Sequence, residues 1–207
     1  MKTFKISIFA FLFGFLFFPF ASFSQDTILL LNGEKYAVKI IKISNDSLTF
    51  VSPGKDGGKE RQIEKIDVFS LISANGNEIV TYRQDTNAGN NFSVEQMRNY
   101  IYGEQDARRN YHAPMMTVMG VISGVGGFVG LGFYGLMVPP LTTALFSIKS
   151  PRIKTKCVSK PELIKNDYYM TGYQSVAIRK KVKNGLIGGI VSFAVSAVAI
   201  TIYNNNK

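Results

Sequence analysis

Few residues in this 207-residue chain have the type and the company that chemistry requires. The single histidine, His112, sits in "YHAP" at the edge of an apolar run and reads as an interfacial side chain rather than a base or a ligand. The single cysteine, Cys157, lies among lysines, which favour a thiolate, but has no histidine or acid beside it and reads as a free thiol. Glu95, Glu104 and Asp106 read as solvated helix charges paired with Arg98, Arg108 or Arg109. No metal-ligand cluster, nucleophile elbow, phosphate loop or dinucleotide fingerprint is present in the sequence. The expectation is therefore no catalytic residue, no cofactor and no metal, and an enzyme is the weakest of the functional classes.

What must position any site is dominated by apolar runs. Residues 1–24 have the three parts of a secretory signal: Lys2 and Lys5, an uncharged stretch from Ile6 to Phe18, and small Ser22 and Ser24 before Gln25. An uncleaved anchor helix is the alternative, weakened by Pro19. Residues 113–148 contain no charge, and Met115 to Val138 would span roughly 36 Å as a helix. Pro139 and Pro140 are expected to end or kink it, leaving Leu141 to Ile148 as an interfacial stub, with a re-entrant hairpin as the alternative. Residues 185–203 form a second uncharged run of roughly 28 Å, followed by a polar tail at 204–207. A chain this short has too little other sequence to enclose two such helices, so a lipid bilayer is the expected surrounding.

Charge is segregated. Residues 149–184 hold ten basic residues against Glu162 and Asp167, whereas the rest of the mature chain up to Ile148 is nearly neutral, so the net charge of +10 is a local feature. The positive-inside rule places this basic loop in the cytoplasm, with acidic lipid headgroups as neighbours, and places the N-terminal part outside. A nucleic-acid partner is not expected. With Cys157 alone in the loop, no intramolecular disulfide can form.

Residues 25–83 read as five or six short antiparallel strands, with Asn32-Gly33 and Asn75-Gly76 as hairpin turns and a Gly-rich "PGKDGGK" between two of them. This run resembles small SH3-like or Sm-like barrels, which implies a closed barrel with a tiny core and a binding role for peptides, oligonucleotides or subunits. So small a core needs support from the following helix, a second copy or a partner. Residues 84–91 are a polar linker. Residues 92–112 form an amphipathic helix that starts at Ser93, with Gln96 completing a capping box, and carries Met97, Tyr100, Ile101, Ala107 and Tyr111 near one face.

Two features remain. Gly120 and Gly124, Gly126 and Gly130, Gly185 and Gly189, and Gly188, Ser192 and Ser196 recur at intervals of four, which lets helix backbones approach closely within one chain or between copies. And a phrase is stated twice at an offset of 69: Tyr100, Gly103 and Gln105, then Tyr169, Gly172 and Gln174, with Tyr173 beside them and Gly120 matching Gly189. These residues are the candidate interaction positions. A duplication would place both phrases on one side of a membrane, whereas the charge argument places them on opposite sides.

In overall layout the chain resembles uncharacterised small envelope proteins of Gram-negative bacteria. That resemblance implies an α+β inner-membrane protein with a periplasmic β domain, amphipathic helices and two Gly-rich spans. Its expected role is binding or scaffolding for an envelope partner, with a glycine-zipper homo-oligomer as the alternative.

Overall fold

The computed structural model describes residues 25–52, 58–151, 153, 155 and 158–206. The signal at 1–24, Cys157, and Arg152, Lys154 and Lys156 of the basic loop lie outside the described residues. The fold is α+β. Six strands, β1 (Asp26–Leu30), β2 (Lys35–Ile43), β3 (Ser47–Val51), β4 (Glu60–Glu64), β5 (Val68–Ile72) and β6 (Glu78–Val80), form one antiparallel sheet in the order β4-β3-β2-β1-β5-β6. Both Asn-Gly turns are present: Gly33 and Gly76 have φ of 80° and 83°, a region that glycine enters without steric cost.

The sheet is open, which corrects the closed SH3-like barrel. Among the described residues β4 pairs only with β3 and β6 only with β5, and β6 is three residues long. The reason lies in β1 and β5, whose side chains are buried on both faces of the sheet. Ile28 and Leu30 point into a core with Val38, Leu48, Phe50, Val68 and Leu71. Leu29 faces the other way, into a second core with Phe69, Tyr82, Met97 and Ile101. That second core is supplied by helix α1 (Val94–Asn110), so the sheet is covered by a helix rather than closed on itself. The uninterrupted "ILL" that ends β1 is the sequence trace of a strand with no solvent face. The capping box at the start of α1 forms in both directions: Ser93 N–H donates to Gln96 Oε1 at 2.8 Å, and Gln96 N–H donates to Ser93 Oγ at 3.3 Å.

Helices α2 (Pro114–Leu131), α3 (Val138–Ser147) and α4 (Asp167–Asn205) complete the chain, with a 3-10 segment at Gly132–Met137 between α2 and α3. α4 is continuous for 39 residues, with Asn166 capping its first amides. It therefore unites the helical part of the basic segment with the apolar run at 185–203. The two helical segments Pro114–Ser147 and Asp167–Asn205 are long and apolar enough to cross a membrane.

At the α2–α3 connection the chain reverses, and residues 138–147 form a helix. Pro139 and Pro140 fall in the first turn of α3, where a missing N–H removes no helical bond, so they begin a helix instead of ending one. Gly132, at φ 57°, makes the reversal, and Gly135 then packs on Gly127. α3 runs back along α4: Pro139 lies against Gly189, Thr143 against Gly185, and Lys181 Nζ donates to the Lys149 carbonyl. The result is a hairpin with arms of roughly 27 Å each.

α2 and the second half of α4 run parallel, Thr117 lying beside Gly188 and Phe128 beside Phe193. The loop after α3 therefore returns to the end of the helical bundle that carries the sheet. There Ser159 bonds Asp106, and Lys160 Nζ lies 3.9 Å from the centre of the Tyr102 ring.

Candidate functional site

The repeated phrase is where the sheet, α1 and α4 are joined. α1 and the first half of α4 run parallel in a register that brings the two phrases face to face. A Cβ on Gly103 would overlap the Tyr169 carbonyl, and a Cβ on Gly172 would overlap the Tyr100 carbonyl. Each phrase's glycine thus receives the backbone of the other phrase's tyrosine. The pattern continues into the apolar part, where Gly120 meets Gly185 and Gly189, and Gly124 meets Gly189 and Ser192. The second half of the offset-69 pattern is therefore a packing contact along its whole length.

The other phrase residues do unequal work. Tyr173 packs with Ala107, Val176 and Ala177, edge-on to Tyr111. Gln105 Nε2 donates to the Gly33 carbonyl at 3.2 Å, tying α1 to the β1–β2 turn, while Gln174 is half-buried on α4. Of the small residues, Gly126 and Gly130 have nothing among the described residues within 4 Å of where a Cβ would stand, and the Ser196 hydroxyl bonds back to Ser192 on its own helix.

Between the glycine contacts lies a buried polar joint. Glu104 and Asp106 were expected to be solvated, yet they are 2% and 4% exposed. Asp106 accepts from the Tyr169 hydroxyl at 2.8 Å, from the Ser159 amide at 2.9 Å and from the Ser159 hydroxyl, which fixes the returning loop against both helices. Burial, then the bond to Asp106, pushes the Tyr169 phenol well above its ordinary range. Glu104 sits under the β1–β2 turn, its Oε2 close to Gly33 and without a hydrogen-bond partner among the described residues, and its Oε1 accepts from Arg179 Nη2 at 2.6 Å. Burial raises its carboxyl to about 7, although Arg179 and Arg108 pull the other way.

Cations complete the joint. Arg108 bridges to Glu34 at 3.0 Å and to the Asn32 carbonyl at 2.8 Å. Lys180 donates to the carbonyls of Ala107, Arg108 and Tyr111, capping the negative end of α1 where the chain breaks before α2. Burial and then Arg108 lower the Lys180 ammonium from its usual value.

Sequence reasoning missed Glu104 and Asp106 because α1 buries two faces. Glu104 continues the Met97–Ile101 stripe toward the sheet, and Asp106 lies three residues after Gly103 on the face toward α4. An acid placed seven residues after the first core methionine was the available signal. Among the described residues no group of three or more His, Cys, Asp or Glu is placed to hold a metal ion. What the joint can do is hold a sheet rigidly on a helical bundle. Comparison of the chain with protein-family models, with curated proteins and with solved structures finds no match.

Proposed function

We propose that the protein is a non-enzymatic inner-membrane module that presents its small β domain to an envelope partner at the bilayer surface, the β domain being exported. The observation that carries this reading is the division of the surface. At the end away from the sheet, large apolar side chains of all three helices are exposed, among them Val129, Phe133, Leu141, Leu145, Val195 and Ile202. Such an extended apolar exterior fits lipid far better than water. Tyr134, 84% exposed at the hairpin tip, and Tyr203 near the end of α4 stand where aromatic side chains meet the far interface. The hairpin arms and the distal half of α4 fit the thickness of one hydrocarbon core.

The test is thiol labelling in intact cells with a membrane-impermeant reagent, in a Cys157→Ser background. Ser47→Cys and Glu162→Cys are expected to label, and Asn205→Cys to stay protected until the membrane is opened. Labelling at 47 but not at 162 would restore opposite sides for the β domain and the loop, and would overturn the hairpin as the membrane form.

Homo-oligomerisation through α2 is a second reading, favoured by the open pair Gly126 and Gly130. It expects a crosslinked oligomer that Gly126→Leu with Gly130→Leu abolishes. A monomer in both wild type and variant removes it and leaves the scaffold reading in place.

A further inference from the structure

We infer that the groove between the β1–β2 turn and the last turn of α1 binds the phosphate of an anionic phospholipid headgroup, a site that rests on the membrane reading above. The groove is a pocket of about 600 Å³ with Lys35, Tyr36, Gln105, Arg108 and Arg109 around it. Its charges are unequal. Arg108 is paired with Glu34, and that carboxyl is held below its usual value, first by the Tyr36 hydroxyl bond, which works against burial, and then by Arg108. Among the described residues Lys35 and Arg109 make no ion pair; of the acids nearby, Glu78 is bound by Arg98 at 2.9 Å, and Glu104, under Gly33, is bound by Arg179 at 2.6 Å. Two cations are thus left over in one pocket, beside a guanidinium that a carboxylate already orients.

Height is the second argument. α4 serves as a ruler, because α1 and α2 both lie parallel to it. Lys180 touches the end of α1, Asn184 touches Ala113, and the uncharged run of α4 begins at Gly185. Arg109, five residues before Pro114, therefore stands one to two turns above the start of the exposed apolar surface, at headgroup level. Lys181 and Lys183 stand at the same level on α4, and Lys149 where α3 ends. The end of a helix ordinarily repels an anion, but here Lys180 covers the exposed carbonyls of α1. The site thus offers positive charge, a polar amide in Gln105 and an open side toward the bilayer plane.

The full chain, reconstituted in vesicles of phosphatidylcholine and phosphatidylglycerol and then taken into mild detergent, tests this by native mass spectrometry of the retained lipid. Retained phosphatidylglycerol is expected in excess over phosphatidylcholine. Lys35→Gln with Arg109→Gln is expected to lower that excess on the order of tenfold, while Lys183→Gln leaves it nearly unchanged. An excess that survives the double variant, or that falls equally with Lys183→Gln, would overturn the site and leave the membrane reading intact. Displacement of the lipid by inorganic phosphate alone would show a free-phosphate site and overturn the lipid assignment. A chain that does not enter these vesicles would overturn the membrane reading and this site together.

Discussion

Gly103→Leu is expected to separate α1 from α4 and to lower the stability of the whole chain by about 3 kcal/mol, near the upper end for overpacking. In thermal unfolding this corresponds to a midpoint roughly 10 °C lower. The cause is geometric. The added side chain would occupy the space of the Tyr169 carbonyl, and backbone cannot rotate away as a side chain can. Pushing the helices apart also strips Asp106 of the Tyr169 hydroxyl and leaves a buried carboxylate short of a donor. Gly172→Leu should behave alike, because it meets the Tyr100 carbonyl in the reciprocal contact. Gly126→Leu, facing open space, should leave the midpoint within about 1 °C in detergent. Equal midpoints for Gly103→Leu and Gly126→Leu would contradict the joint.

The second large effect is a pH dependence centred on Glu104. Its carboxyl is raised in the fold to about 7 from an ordinary value of 4.5, and burial is the main cause. A raised acid is held protonated by the fold, so its contribution to stability is complete below about pH 4.5 and is lost as pH rises through about 7. The loss is on the order of 3 kcal/mol. Glu104→Gln keeps the shape and cannot ionise, so its stability should not fall through that window. Urea unfolding of wild type and variant between pH 4.5 and 8 reads the difference. Parallel curves would mean that Arg179 satisfies the ionised carboxylate and that burial is not the controlling influence.

How much of this could be read in the residues depended on range. Both Asn-Gly turns, the Ser93–Gln96 cap and the strand succession were legible, because each is decided within four or five residues. The covering of the sheet was half legible. The core of residues 25–83 was too small to stand alone, but only the contacts of Leu29 and Phe69 with Met97 and Ile101 show that α1 takes the place a closing strand would have had. Pro139 and Pro140 carried an ambiguous signal, since a proline is equally at home just after one helix and in the first turn of the next. Charge counting placed the basic loop by an average over residues 149–184, whereas its position in the fold is set by single contacts such as Asp106 to Ser159. The repeated phrase was visible, but its meaning was not. A pattern of tyrosine and glycine at offset 69 gives no sign that the two copies touch until the helices are seen side by side.

The unbroken run of α4 has a mechanical consequence. The chain is interrupted at Tyr111–Ala113, between the helix that carries the sheet and the helix that enters the apolar region. Left alone, that interruption would be a universal joint, and the sheet would swing freely about the apolar helices. α4 lies across it as a splint of roughly 58 Å, fastened above by the Gly103 and Gly172 contacts, at the break by Lys180 and Asn184, and below by Gly120 and Gly124. The β domain is thereby held at one fixed bearing to the apolar helices. A partner anchored in the same bilayer would meet it already aimed, with little orientational freedom left to surrender on contact.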